Sequence, residues 1–358
     1  MPLYYNPKDS DGMGSVKDLK IIEKPEIKKL GIGRFVFSDR YSVFDWGEMP
    51  DLIEEKGKAL CIISAFFFEK LEEKGIATHY RGLIEDDRLY RLKEIEGAAN
   101  EMEIDLVRVI KPNFYGGKYD YDAFQKEDGN YLIPLEFIYR NVIVPESSFL
   151  RRVKSGEVNI AKFGLDDLEV GKKLKKPIFD VSTKLEEEDR YLNWGEAKEI
   201  SALEDSEMEK IKRILSFLTV LIDKEVSNVG IENIDGKIEL AFDPQREFMV
   251  VDTLGTLDEC RLLYNGLNLS KEVIRQYYLP SEWKKEVDRA KKEAKKKRIE
   301  DWKILCKKTP EGLGKEFKEI ISSMYQSVAN EIIKENFFDV PRLNEVMKRY
   351  EEYKQTYN

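Results

Sequence analysis

Apolar and polar positions along this chain alternate with two periods. At 131–144 the run Tyr-Leu-Ile-Pro-Leu-Glu-Phe-Ile-Tyr-Arg-Asn-Val-Ile-Val has the aromatic and β-branched density of a strand. Its period of two places Glu136, Ile138 and Arg140 on one face. Shorter strand-like runs lie at Arg34 to Asp39 and Ile104 to Ile110, the latter closed by Lys111-Pro112-Asn113. Val226 to Glu232, Lys237 to Phe242 and Phe248 to Asp252, punctuated by Asp235-Gly236 and Asp243-Pro244, predict a three-stranded antiparallel meander. Helical spacing governs 58–74, where Leu60, Ile63, Ser64, Phe67, Phe68 and Leu71 recur and Gly75 offers a C-cap. Ser206 with Glu209 has capping-box spacing and opens a helix striped by Met208, Ile211, Leu215, Leu218 and Ile222. A closing helix at 315–333 carries Phe317, Ile320, Ile321, Met324, Tyr325, Val328 and Ile332. Residues 1–19 read as a polar arm, 166–190 as a charged loop, and 113–130 as a loop or hairpin tip that marks a domain boundary.

Residues 282–308 read as a long basic helix. Lys284 to Lys308 holds 12 basic and 5 acidic residues, so it contributes +7 to a net charge of −9. Trp283, Val287, Ala290 and Ala294 share one face at core spacing, which favours a docked helix with a solvated face over an RNA-binding one. An acidic chain is also a poor generic nucleic-acid binder.

The rest of the composition narrows the chemistry. The 358 residues suffice for two domains. Cys61, Cys260 and Cys306 are sparse and far apart, which fits a reducing cytoplasm and gives no zinc spacing. No basic n-region precedes an apolar run at the N-terminus, and no uncharged stretch approaches the ~18 residues of a membrane span. His79 is the single histidine. Acid–base or metal chemistry therefore falls mainly to carboxylates and lysines, an inventory that suits Mg-ATP because Mg²⁺ prefers oxygen ligands.

The sharpest motif is Phe37-Ser38-Asp39-Arg40-Tyr41-Ser42-Val43-Phe44-Asp45, which packs two acids, an arginine and two serine hydroxyls behind an apolar run. It resembles the Ser-Asp-Arg-x-Ser-Ala-Phe-Asp signature of SAICAR synthetases, ATP-dependent ligases of purine synthesis. Further blocks follow in family order: Met49-Pro50, Lys56-Gly57, Ser64-Ala65-Phe66-Phe67-Phe68-Glu69, Thr78-His79, Pro134-Leu135-Glu136 through Arg140-Asn141, and Pro177-Ile178-Phe179 through Thr183-Lys184. The family's Asp-x-Lys-x-Glu-Phe-Gly strand is matched to Asp223-Lys224 through Gly230, its Asp-Glu-x-x-x-Asp-x-x-Arg-Leu segment to Asp252 through Leu262, and its Lys-Gln-x-x-Arg to Lys271 through Arg275. The order across about residues 25 to 335 makes coincidence improbable.

The resemblance implies a two-domain α+β fold. A small N-terminal antiparallel sheet domain (20–112) is hinged near Lys111 to a larger mixed nucleotide-binding domain (113–335), and a helical tail (336–358) follows. It also implies a ligase that joins the carboxylate of an aminoimidazole ribotide (CAIR) to aspartate through an acyl phosphate, with ATP and Mg²⁺ as cofactors. Asp223 and Asp252 would hold the metal, and Lys224 and Asp252 would be catalytic. Lys28, Lys29, Lys111 and Lys224 would meet ATP. Arg40 and Arg140 would bind the sugar phosphate, Ser42 and Asp45 ribose or imidazole groups, and Thr183 and Lys184 would receive the amine, with Ser38, Asp39 and Arg261 also among the substrate-binding residues. The implied partners are small molecules, with no membrane and no nucleic acid; self-association is left open.

The departures define the alternatives. The family's His-Asp pair after Thr-Lys becomes Glu186-Glu187-Glu188-Asp189, its metal-binding Asp-Glu becomes Asp252-Thr253, and its Gly-Ser-x-Trp-x-Arg becomes Glu146-Ser147-Ser148-Phe149-Leu150-Arg151-Arg152. Extra length falls at about 186–205 and 282–308. A relative with another carboxylate or amine, or an inactive nucleotide-binding relative that docks a partner through the basic helix, are the competing readings.

Overall fold

The computed structural model describes residues 11–13, 16–145, 147–186, 189–299 and 301–357. Most of the polar arm, together with Glu146, Glu187 and Glu188, lies outside them.

The first layer is a six-stranded antiparallel sheet. Strands β1 (Asp11–Met13), β2 (Lys17–Glu23) and β3 (Gly31–Phe37) form its first half. Helix α1 (Lys56–Glu72) follows, then β4 (Tyr80–Glu85), β5 (Arg88–Tyr90) and β6 (Glu101–Leu106). Spatial order is β1-β2-β3-β6-β4-β5. In β3, Gly31, Gly33, Phe35 and Phe37 are buried while the residues between them are partly exposed, the alternation of a sheet wet on one face. Phe67, Phe68 and Leu71 of α1 are fully buried beneath that sheet. Each contributes on the order of 2 kcal/mol of apolar burial. Gly57 lets the helix start against β3, because a Cβ there would meet the Phe37 carbonyl at 2.7 Å.

A small hairpin, β7 (Asn113–Tyr115) with β8 (Lys118–Asp120), leads to the second sheet. That sheet contains β9 (Tyr131–Val142), β10 (Lys173–Thr183) and β11 (Tyr191–Leu192), with α2 (Ser148–Lys154) inserted after β9. Helices α3 (Trp194–Ser201) and α4 (Asp205–Ser227) cover one face. Strands β12 (Ile231–Phe242), β13 (Phe248–Val251), β14 (Cys260–Tyr264) and β15 (Leu267–Asn268) complete the order β11-β10-β9-β12-β14-β15, with β13 paired to β12. Helices α5 (Glu272–Tyr278) and α6 (Glu282–Lys297) follow, then α7 (Lys315–Ile333) and α8 (Leu343–Tyr357). Helix α7 returns to pack on α1, so the end of the chain braces the first layer.

Four expectations change, the first being that the basic helix stops at Lys297, where Arg298 turns left-handed, instead of running to 308. The predicted meander is instead one long strand, β12, hairpinned to β13; Asp235-Gly236 lies inside β12 and Val226 belongs to α4. Gly236 is there for space, since a Cβ would overlap the ring of Tyr139 opposite. The charged stretch at 166–190 contains β10, whose Asp180 to Thr183 are buried. Helix α4 is boxed by Glu204 and Glu207, two residues before Ser206 and Glu209. No helix among the described residues is long and apolar enough to cross a membrane.

Candidate active site

The strand register builds a charged sheet face. Glu136 of β9 lies opposite Glu239 of β12 and Ser182 of β10. Two residues along, Ile138 of β9 lies between Lys237 of β12 and Asp180 of β10. Two further, Arg140, Asp235 and Arg261 form a row across β9, β12 and β14. Period two puts all of these on one face. The opposite face carries Phe137, Tyr139, Val181 and Ile238, which are buried.

Two carboxylates directly opposite each other repel unless a cation joins them. Lys184, just past β10, does so: its Nζ lies 2.7 Å from Glu136 and 2.5 Å from Glu239. Lys237 adds a bridge of 3.0 Å to Glu136 and 3.4 Å to Glu259. Asp252, immediately after β13, accepts from Lys17 of β2 at 2.6 Å, a link between the two sheets. Burial pushes the Glu136 carboxyl up to about 8, with the Glu239 charge adding to it and Lys237 opposing. Glu239 is raised for the same reason, with Lys184 opposing and the charge of Asp252 adding. Burial would also raise Asp252, but Lys17 and Lys184 outweigh it and hold its carboxyl well below the usual range. Burial works against the Lys237 ammonium, yet Glu259, Glu136 and Glu239 hold its pKa well above normal.

Asp252 has left-handed backbone, φ 70°, a conformation that non-glycine residues keep only when their surroundings hold it. His79 supplies part of that hold. Burial lowers its pKa to about 4, so its imidazole is neutral, and Nε2 lies 3.1 Å from the Asp252 carbonyl. The single histidine is thus a brace behind the site.

Beside this cluster Arg140 reaches Asp180 at 3.4 Å and Asp235 at 3.5 Å. Arg261 reaches Asp235 at 3.4 Å. Ser148, from α2, contacts Arg140 at 3.1 Å and the Tyr191 hydroxyl at 2.6 Å. Arg152 pairs with Asp180 and stacks 3.8 Å from the Tyr191 ring centre. The Nε atoms of Arg140 and Arg152 are buried without a hydrogen-bond partner. Guanidiniums gathered in this way match phosphate and carboxylate geometry.

The signature segment lies within electrostatic reach of the same charged groups through Asp45. Ser38 Oγ donates to the Val16 carbonyl at 2.9 Å, and Arg40 pairs with Asp18. Asp45 pairs with Lys291 and lies within electrostatic reach of Arg275, Lys271 and Asp189. Asp189 in turn feels Lys237 and Lys184. Thr183 Oγ accepts from the Arg190 amide at 3.0 Å, which shapes the turn that carries Lys184.

The structure therefore gathers Arg140, Arg261, Lys184 and Asp252 around one sheet face, with Asp45 within electrostatic reach; Thr183 falls on the opposite face, with Val181, and Ser38, Arg40 and Ser42 follow β3. Asp39 plays another part: its carboxylate accepts from the Glu55 and Gly57 amides at 3.2 and 3.0 Å, capping α1. Lys28, Lys29 and Lys111 are exposed, and Lys29 pairs with Glu23. The Lys28–Lys29 turn nevertheless meets the second sheet, because Asn130 Nδ2 donates to the Lys29 carbonyl at 2.7 Å and Leu30 packs on Val107, Leu132, Ala241, Met249 and Val251.

Asp223 and Lys224 do not belong to the site. Both lie on α4, where Lys224 is exposed and Asp223 pairs with Lys173 at 2.8 Å. Lys173 starts β10 and Thr183 ends it, a separation of roughly 30 Å. The Asp-x-Lys-x-Glu pattern is instead met by Asp235-Gly236-Lys237-Ile238-Glu239 on β12. Sequence reasoning missed Lys237, Glu239, Asp180, Arg152 and Lys17. The spacing Asp235–Lys237–Glu239 was the available signal for the first two; nothing local marks Lys17.

The SAICAR synthetase family model matches residues 26–290. A candidate phosphoribosylaminoimidazole-succinocarboxamide synthase of Archaeoglobus fulgidus is 49% identical over 340 residues, 95% of this chain and 99% of that protein. Among solved structures, the Saccharomyces cerevisiae SAICAR synthase complexed with SAICAR aligns at TM-score 0.60 and 20% identity, covering 93% of this chain and 95% of that one. A SAICAR synthetase (type 2) in complex with ADP aligns at TM-score 0.52 and 22% identity, covering 84% of this chain and all of the other.

Proposed function

Because this chain belongs to the SAICAR synthetase family, we propose that it is the ATP-dependent ligase that joins the carboxylate of CAIR to the amine of aspartate in purine synthesis. The observation that carries this reading is the juxtaposition of the Lys184–Glu136–Glu239–Lys237–Asp252 cluster with the Arg140–Asp235–Arg261 row on one sheet face. One half suits phosphoryl transfer; the other suits an anionic sugar phosphate.

Amide formation needs an activated carboxylate. A CAIR carboxylate oxygen attacks the γ-phosphorus, the bond to ADP breaks, and an acyl phosphate forms. The aspartate nitrogen then attacks the acyl carbon, and phosphate departs with one former carboxylate oxygen and the amine proton. Lys237 and Lys184 stabilise charge on the transferring group, as positioning and electrostatics dominate such steps. Arg140 and Arg261 orient the sugar phosphate. Asp189 offers the aspartate ammonium an anionic partner where the family has its His-Asp pair.

The donor set also fits Mg²⁺. Glu239 faces Val251 across the β12–β13 hairpin, so Glu239 and Asp252 bring two hard oxygen ligands to one place. Mg²⁺ commonly takes one or two carboxylates with substrate phosphates. Among the described residues no group of three or more His, Cys, Asp or Glu side chains could hold a metal ion, so ATP phosphates and water would have to complete the shell. Bound there, Mg²⁺ would neutralise phosphate charge. The turn at Lys28–Lys29, with Leu30 over the apolar cluster at Val251, supports ATP between the sheets.

The test is ADP release by the purified protein with Mg-ATP, CAIR and aspartate, omitting each in turn. Release that needs all three is expected. Release with another amine or carboxylate in place of these would replace the substrate assignment.

A further inference from the structure

Phe44 and Asp45 both have left-handed backbone, φ 58° and 62°. Two such residues in succession, neither glycine, are held only if their surroundings over-determine them. What surrounds them is the excursion at 282–305. Trp283 of α6 is buried, its ring 6.0 Å from Phe44 and 5.5 Å, edge-on, from Trp46. Trp302 closes the other side of Trp46 at 5.9 Å. Lys284 lies over the Phe44 ring at 4.7 Å. Lys291 lies over the Trp302 ring at 4.9 Å and pairs with Asp45. The helix is anchored from beneath, because Trp283 also packs on Tyr278, whose hydroxyl meets that of Tyr41 at 2.9 Å.

We infer that residues 282–299 and 301–305 are a clamp that fixes the geometry of the signature loop, and that Lys291 is a positioning residue holding Asp45 beside the charged sheet face. The basic face then has an internal use: among the described residues its one long-range ion pair to the signature loop is made by Lys291, while Lys284, Lys285, Arg289 and Lys297 pair with acids of α6 itself. The kinetic part of the inference rests on the ligase reading; the conformational part does not.

Amide hydrogen exchange at residues 41–48 tests it in the full chain, using Lys291→Met, Lys291→Arg and Trp302→Ala. Exchange there should quicken about fivefold in Lys291→Met, as befits a solvent-exposed ion pair, and return toward normal in Lys291→Arg. Loss of an aromatic wall in Trp302→Ala should quicken it about tenfold. In the same variants KM for CAIR should rise by similar factors while KM for ATP holds. Unchanged exchange at 41–48, or equal acceleration throughout the protein, overturns the clamp. Selective acceleration in a protein whose wild type shows no CAIR-dependent ADP release would sink the ligase reading and leave the clamp standing. Selective acceleration with an unchanged CAIR KM would overturn the role of Lys291 in positioning Asp45 for substrate.

Discussion

Glu136 is buried, with Glu239 facing it across Lys184, and that burial has a measurable cost. Glu136 is held near 8 against an ordinary value of 4.5, so the folded protein keeps a proton that the unfolded chain gives up. A carboxyl raised on folding stabilises fully below its unfolded pKa, and that contribution fades as pH climbs toward the folded value. Urea unfolding should therefore show stability falling from about pH 4.5 to about 8 through this group, and Glu136→Gln should flatten that slope. A slope identical in the variant would remove Glu136 from the explanation. Asp252 has the opposite bias and stays charged. Asp252→Asn should cut ADP release by roughly a hundredfold or more with the fold retained, since preorganised charge at a transferring phosphoryl group is worth that much. Wild-type turnover in this variant would refute its metal role.

At the scale of elements, helix caps and strand faces separate structural from chemical residues. Asp39 sits inside the most suggestive motif of the chain, yet its carboxylate is spent on the start of α1. Asp39→Ala should lose about 1 kcal/mol of stability by urea titration and leave every KM within about twofold; a large KM change with normal stability would return it to the substrate site. The contrast on β12 and α4 is sharper. Lys224→Ala, on an exposed helix face, should leave kcat/KM unchanged, whereas Lys237→Met should lower it by about a hundredfold. Equal effects would show that the strand assignment is wrong. These residues also mark how far the sequence was legible. Period-two alternation exposed β9 and its Glu136–Arg140 face. Phe67, Phe68 and Leu71 revealed α1. Strand β12 was hidden because Asp-Gly ordinarily signals a hairpin, and here Gly236 exists to clear the Tyr139 ring. That misreading displaced the metal and lysine assignments onto Asp223 and Lys224. Lys17 was illegible because its partner, Asp252, is 235 residues away.

Across the whole molecule, buried charges tie the layers together. Lys56 of α1 is fully buried, 2.8 Å from Asp258, which also accepts from Tyr325 of α7 at 2.7 Å. The Lys-Gly pair is therefore a joint between the first layer, the loop after β13 and the returning C-terminal helix. Breaking one partner of a buried pair strands the other charge, so Lys56→Met should cost about 3–5 kcal/mol and lower Tm sharply. A neutral result would mean that the joint is dispensable. Lys17 to Asp252 is the second tie, and it runs through the candidate site itself. The first sheet thus holds the acid that the second sheet presents, an arrangement that suits the proposed phosphoryl transfer between the layers.

The claim on which the rest depends is that this cleft activates a carboxylate by phosphorylating it. It is tested most directly by following oxygen. CAIR labelled with ¹⁸O in its carboxylate is incubated with Mg-ATP, aspartate and the protein, and the inorganic phosphate is analysed by mass spectrometry. An acyl phosphate intermediate predicts one ¹⁸O in each phosphate released. Unlabelled phosphate accompanying ADP would contradict the account, because ATP would then be hydrolysed by water rather than used on the substrate.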